Sequence, residues 1–417
     1  MAELVRIADL RTPELNNQQR AALTTAAAHP VNLSSTVILA EAVKSTGLID
    51  FGPGEFRERL DIWLADANAD KDLTEFGRAA IYRICLRFAE TRLRAHHMLK
   101  LHPDIEAETI VAPLIVIGLP RSGTTHMVNL LAADPRRRSL QYWEACEPVP
   151  QAGNAVTEAA RDPRYVRSKA SWEAMRGLLP LMELMHPFEA EHIHEDLELQ
   201  GPDFSSYFPE WLFRAPRWRV HYESHDQTPH YEYLRTMLKM LQWINGPKRW
   251  VLKCPQHLEQ IPALLKVFPD AQIVMMLRDP VASIQSAVTM SAYTGRLRYK
   301  HLNIDELFQF WSDRTEDLLR AGVRDAELIP ASQRFDVAFQ DLTADDLSVV
   351  SHLYETFAIE YPRNVQERIE KYSSGHRRGA SGRVVYDVES DFGVDPNKLR
   401  ERFGFYFNAY PAVRRET

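Results

Sequence analysis

From Gly118 to Thr125 the chain reads Gly-Leu-Pro-Arg-Ser-Gly-Thr-Thr, with the hydroxyls of Ser122, Thr124 and Thr125 and the guanidinium of Arg121 in or beside a glycine-bounded loop. Leu114, Ile115, Val116 and Ile117 before it form an apolar, largely β-branched run. Met127, Leu130 and Leu131 after it fall at three- and four-residue spacing. Strand, glycine-bounded loop and helix N-terminus together make a cradle for a phosphate-like anion. Successive backbone N–H groups point into the loop, the helix dipole adds partial positive charge, and the hydroxyls add donors.

Two further stretches carry chemistry of the same kind. Arg278 follows the apolar run Ile273 to Leu277, and Ser286 stands eight residues beyond it. A helix opening near Pro280 brings the Ser286 hydroxyl back toward the guanidinium. A fork of charged donors beside a neutral one suits a phosphate. Lys253 ends the run Trp250-Val251-Leu252. At the end of a strand on the same sheet edge, its ammonium can neutralise charge on an oxygen that leaves during group transfer.

The loop keeps the glycine spacing of the Walker A motif, G-x-x-x-x-G-K-[ST], but Thr124 stands where that motif has Lys, and the cation is Arg121 inside the loop. A nucleotide triphosphatase uses that Lys on the β- and γ-phosphates and a hydroxyl on Mg²⁺. The present loop suits a smaller terminal anion without a metal. A P-loop kinase and a non-catalytic nucleotide-binding protein of the same fold are the alternative readings.

The run G-L-P-R-S-G-T-T resembles the 5′-phosphosulfate loop of sulfotransferases that use 3′-phosphoadenosine 5′-phosphosulfate (PAPS). The resemblance implies that Gly118, Pro120, Arg121, Ser122, Gly123, Thr124 and Thr125 bind the phosphosulfate. It also implies that Arg278 and Ser286, matching the family's R-x₇-S, hold the 3′-phosphate. Leu252-Lys253-Cys254-Pro255-Gln256-His257-Leu258 is similar to the family's K-T-H-L-P stretch, with His257 four residues after the Lys instead of two. Ala338-Phe339-Gln340-Asp341-Leu342 resembles a Y-x-D-L strand end, and Asp391-Phe392-Gly393 a D/E-F-G-L element. The implied reaction is in-line transfer of a sulfuryl group to a hydroxyl, leaving adenosine 3′,5′-bisphosphate, with Arg121 and Lys253 stabilising the departing charge and no metal required.

Glu144 and His257 are the candidates for the base, with Glu147 a second option should the register of the Glu slip. His257 corresponds to the family's His by motif. Glu144, in Gln141-Tyr142-Trp143-Glu144, falls where other sulfotransferases carry a catalytic Glu shortly after the first helix. A carboxylate beside an apolar pocket can take a hydroxyl proton. His192, His194 and Glu195 form an H-x-H-E run that invites a metal reading. No Cys or further His follows at suitable spacing, so it reads instead as a wall of the acceptor pocket. Arg377, Arg378 and Arg383 are candidates for a basic loop that closes over the nucleotide.

The elements that must position these residues read as a P-loop-like α/β fold: a parallel sheet flanked by helices, with a helical N-terminal extension over 1–110 and the sulfotransferase-like domain over 111–417. Apolar strands are expected at 114–117, 250–253, 273–277 and 335–339, each followed by a loop and a helix-like stretch. In the extension, helices are expected at 35–44, 56–67 and 74–101. The aromatic-rich segment of about 151–248 is expected to form helices and loops over the carboxyl edge of the sheet. Its composition favours a hydrophobic small-molecule or lipid acceptor. The triple-Arg run Arg136 to Arg138 reads as a solvated loop.

With 417 residues, 45% hydrophobic and 26% charged, the chain has the balance of a globular protein with a large core. A net charge of −7 argues against binding to nucleic acid through its backbone. Three scattered cysteines suggest neither a disulfide framework nor a zinc site and fit a reducing compartment. The sequence carries neither a signal-peptide pattern nor an apolar run of membrane-spanning length, so a cytoplasmic protein is expected, with peripheral membrane contact left open. Oligomeric state is not legible.

Overall fold

The computed structural model describes residues 4–150, 162–376 and 382–416. Its strands are β1 (Leu4–Val5), β2 (Leu114–Gly118), β3 (Arg137–Arg138), β4 (Arg249–Lys253), β5 (Gln272–Leu277), β6 (Arg334–Ala338) and β7 (Arg383–Val384). β1 and β7 form a separate parallel pair, and the other five make one sheet in the order β3-β4-β2-β5-β6. Every neighbouring pair in it is parallel.

The apolar runs form these strands because both faces of the sheet are covered. β2, at the centre, is buried along its whole length, so an unbroken Leu-Ile-Val-Ile run suits it better than alternation. Parallel strands end on one edge, so the segments that follow β2, β4, β5 and β6 share it. In register, Val116 lies beside Lys253, Gly118 beside Met276, and Leu277 beside Ala338.

The N-terminal helices run over Asn17–Ala28, Ser35–Thr46, Phe56–Ala69 and Glu75–Leu101. The last is capped by the Thr74 hydroxyl, which accepts from the Gly77 N–H. Its buried Ile81, Cys85 and Phe88 share a core with Trp63, Phe204 and Trp218. Helices also occupy Pro163–Leu178, Pro216–Ser224 and Thr228–Asn245 within the aromatic-rich segment. No helix among the described residues is long and apolar enough to cross a membrane.

Two local expectations change. Arg136 to Arg138 is not a solvated loop. Arg137 and Arg138 form the edge strand β3, with Arg137 buried over the Tyr354 ring and Arg138 over the Trp250 ring. Their aliphatic stems and planar heads let arginines pack where lysines would not. The strand expected to reach Phe339 stops at Ala338, and Phe339 opens the helix Phe339–Ala344.

Candidate active site

β2 leads into the loop through Gly118, and Gly123 delivers the chain to the helix Thr124–Ala132. Gly123 has φ +91°, and a Cβ there would come within 2.9 Å of the Phe339 ring. Gly118 has φ +150°, and a Cβ on it would lie 2.7 Å from the Met276 carbonyl oxygen. Both positions therefore demand glycine. Between them Arg121 adopts φ +68°, an unusual left-handed conformation for a non-glycine residue. Ser122 folds back, its hydroxyl donating to the Leu119 carbonyl at 2.6 Å.

β5 ends just before Arg278. The helix Pro280–Arg298 starts at once, with the Asp279 carboxylate accepting from the Val281 N–H. One helical excursion brings Ser286 back, and Arg121 Nε donates to its hydroxyl at 3.0 Å. Arg278 donates from Nη1 to the Arg121 carbonyl and stacks 3.9 Å above the Phe339 ring. The structure thus joins Arg121, Arg278 and Ser286. The Arg278 fork already holds an anion, the Glu416 carboxylate, at 2.6 and 2.7 Å.

Lys253 ends β4 on the other side of the loop. Its buried ammonium reaches Thr125 Oγ1 at 3.5 Å and pairs with Glu195 Oε1 at 2.6 Å. The segment bearing Glu195 is tied down on both sides: the His194 N–H donates to the Leu140 carbonyl at 2.8 Å, and the Asp196 N–H to the Lys253 carbonyl at 3.2 Å.

Neither Glu144 nor His257 meets the cavity; Glu147 lines it, with both carboxylate oxygens taken by Arg167 at 2.9 and 2.6 Å. Glu144 is buried, with Oε1 accepting from Arg138 at 2.5 Å and from Asn245 at 3.2 Å. It satisfies the charge of an edge-strand arginine. His257 is fully buried, its Nε2 donating to Asp196 Oδ2 at 3.0 Å and its Nδ1 accepting from the Tyr231 hydroxyl at 2.7 Å. Both ring nitrogens are spent on holding Asp196, and with it Glu195, against the end of β4. The two-residue displacement of His257 from the family spacing carries it into the core.

A cavity of about 1970 Å³ opens over the loop. Its walls at one end include Arg121, Thr124, Thr125, Arg278, Ser286 and Phe339. Met175, Leu179, Met182, Met185, Phe188 and Met290 contribute apolar surface to its wall. His186, His192, His194 and Glu195 line the same cavity. Burial and Lys253 push His192 down to about 4. Burial, neighbouring histidines and Lys253 hold His186 and His194 well below the usual imidazole range. All three rings are therefore neutral near pH 7. Among the described residues no group of three or more His, Cys, Asp or Glu side chains is arranged to hold a metal ion. Arg383 is on the cavity wall, and Arg377 and Arg378 lie outside the described residues.

Sequence reasoning missed the particular value of Glu195, although the H-x-H-E run had marked its neighbourhood. It missed Glu416 altogether, since nothing in a Glu close to residue 417 signals a contact with Arg278, 138 positions away.

A model of the sulfotransferase family matches residues 113–363. The omega-hydroxy-beta-dihydromenaquinone-9 sulfotransferases Stf3 of Mycobacterium tuberculosis and Mycobacterium bovis are each 24% identical over 308 residues, 72% of this chain and 77% of the relative. The crystal structure of STF9 from Mycobacterium avium superposes with a TM-score of 0.82 at 24% identity, over 92% of this chain and 98% of that one. STF1 from Mycobacterium tuberculosis H37Rv gives 0.79 at 25% identity, over 89% and 98%.

Proposed function

Given that the chain belongs to the sulfotransferase family, we propose that it transfers the sulfuryl group of PAPS to the hydroxyl of a hydrophobic small-molecule or lipid acceptor. The observation that carries the donor assignment is the convergence of Arg121, Arg278 and Ser286 beside the glycine-bounded loop, with the Arg278 fork closed on a carboxylate. A pocket that holds one oxyanion this way fits the 3′-phosphate of the donor. The loop N–H groups, Thr124 and Thr125 fit the phosphosulfate.

The donor supplies an activated sulfuryl group to an acceptor oxygen that attacks in line. Lys253, buried beside Thr125, and Arg121 stabilise the negative charge that gathers on the bridging oxygen as the sulfur–oxygen bond breaks. Exclusion of water by the buried walls strengthens both effects. The methionine- and leucine-rich lining of the cavity favours an apolar alcohol over a polysaccharide. A relative named for an omega-hydroxy menaquinone agrees with that class.

The test is calorimetric titration with adenosine 3′,5′-bisphosphate and, separately, with ATP and Mg²⁺, followed by transfer assays on farnesol, 4-nitrophenol and glucose. Metal-independent binding of the bisphosphate and transfer to farnesol are expected. Preference for ATP with Mg²⁺ would turn the reading to a kinase. Bisphosphate binding without transfer to any hydroxyl would leave a nucleotide-binding protein.

A further inference from the structure

Sulfuryl transfer to an alcohol needs a group that takes the hydroxyl proton; Glu144 and His257 are engaged in the core, and Glu147 is clamped by Arg167. We infer that Glu195 is the catalytic base, receiving the acceptor proton on Oε2 in the cavity beside Lys253 and Thr125. This assignment rests on the sulfuryl-transfer reading above.

Three observations converge on it. Glu195 lines the cavity, as do Thr125 and Arg121. Its Oε1 is bonded to Lys253 at 2.6 Å, and Lys253 reaches Thr125 at 3.5 Å, so this carboxylate is tied through a single ammonium to the start of the loop helix. Its Oε2 takes no hydrogen bond among the described residues and is not closed off from the cavity. The residue is also held rigidly. The Asp196 N–H is bonded to the Lys253 carbonyl, and the Asp196 carboxylate to the fully buried His257. A base fixed on both flanks loses little entropy on meeting its proton.

The nearby imidazoles are poorer candidates. Nε2 of His192 and Nδ1 of His194 are buried without hydrogen-bond partners, and burial pushes both imidazoles below their usual range. His186 donates from Nδ1 to the Pro187 carbonyl at 3.2 Å, which leaves Nε2 as the competing atom.

The step balances. The acceptor O–H bond breaks and its proton goes to Glu195 Oε2. The oxygen lone pair forms the new bond to sulfur. The bond from sulfur to the bridging oxygen breaks, and its electron pair stays on the bisphosphate, facing Lys253. Glu195 then returns the proton to solvent.

The experiment uses Glu195→Gln, which keeps an oxygen for Lys253, with His186→Gln as its comparator. Each full-length variant is titrated with adenosine 3′,5′-bisphosphate. Each is then assayed for transfer from PAPS to farnesol, an ordinary alcohol, and to 4-nitrophenol, whose proton leaves unaided near neutral pH. Uncoupled donor hydrolysis, with water as acceptor, is followed in parallel. Glu195→Gln is expected to bind the bisphosphate like the wild type and to lose about 10²- to 10⁴-fold in farnesol transfer or hydrolysis. Transfer to 4-nitrophenol should fall far less, a selectivity that a purely structural role would not produce. Equal losses with both acceptors, or an active Glu195→Gln beside an inactive His186→Gln, would overturn the assignment. A wild type that ignores the bisphosphate would instead remove the sulfuryl-transfer reading itself.

Discussion

Arg278 gives Nε and Nη2 to the two carboxylate oxygens of Glu416, at 2.6 and 2.7 Å, so the fork proposed for the donor's 3′-phosphate is already occupied by the protein's own acid. The Glu416 backbone is held there as well, its N–H donating to Asp279 Oδ2 at 2.8 Å and its carbonyl accepting from Arg400. One fork serves one oxyanion, so a 3′-phosphate must displace this carboxylate. Glu416→Gln should therefore tighten adenosine 3′,5′-bisphosphate by about tenfold, the worth of roughly one charge-assisted hydrogen bond. Adenosine 5′-monophosphate, with no 3′-phosphate, should bind unchanged. Calorimetry of the two ligands on the two proteins makes the comparison, and weaker bisphosphate binding in the variant would mean that Glu416 supports the site instead of competing for it.

Glu144 is predicted to matter for stability and not for turnover. It is buried against Arg138, whose side chain is 15% exposed. Removing the carboxylate leaves that arginine desolvated without its partner. Glu144→Ala should cost about 3 kcal/mol in urea unfolding while kcat at saturating donor stays near the wild-type value. A variant that folds normally but has lost transfer would restore Glu144 to the chemistry.

The fold was legible because the site-bearing strands are short, continuous apolar runs. Leu114–Ile117 and Ile273–Leu277 announce a buried parallel sheet, and the motifs follow directly on them. The return of Ser286 to the edge of the loop was legible too, since Pro280 fixes where the helix starts, but its hydroxyl meets Arg121 instead of Arg278. What local sequence could not provide was the depth of a side chain. Glu144 and His257 have the right chemistry near the right strands, but each points into a pairing with Arg138 or Asp196 that only the tertiary packing defines. Glu195 follows two histidines that drew attention to themselves, and its importance comes from Lys253, 58 residues away. The edge strand Arg137–Arg138 was illegible because arginines are read as solvent-facing, while here their rings of contact are Tyr354 and Trp250.

Gly123 couples loop geometry to the stacking of Arg278. A methyl there would meet the Phe339 ring at 2.9 Å on a backbone already at φ +91°. Phe339 in turn supports Arg278 from 3.9 Å. Gly123→Ala should lower stability by about 1–3 kcal/mol and weaken bisphosphate binding together with it. Phe339→Leu, which keeps an apolar side chain and adds no backbone strain, should cost less stability than Gly123→Ala and lose the cation–π contribution, about 0.5–2 kcal/mol of affinity. Denaturant melts and bisphosphate titrations of both variants separate the two effects.

The three neutral histidines beside Lys253 give the fold a defined acid sensitivity. In the unfolded chain an imidazole binds its proton near pH 6.5. In the folded protein, burial and Lys253 push His192 down to about 4, and His186 and His194 are also shifted down, chiefly by burial. Where the folded value lies below the unfolded one, the unfolded state binds more protons in the interval between them. Stability from these groups is then complete above about pH 6.5 and is lost as the pH falls toward 4. The melting temperature should accordingly fall between pH 7 and pH 4.5, before most carboxylates titrate. His192→Gln, which fills similar space and carries no titrating proton, should reduce that slope. An unchanged slope would mean that His192 is protonated freely in the folded protein, and that its Nε2 is open to solvent and available to the cavity.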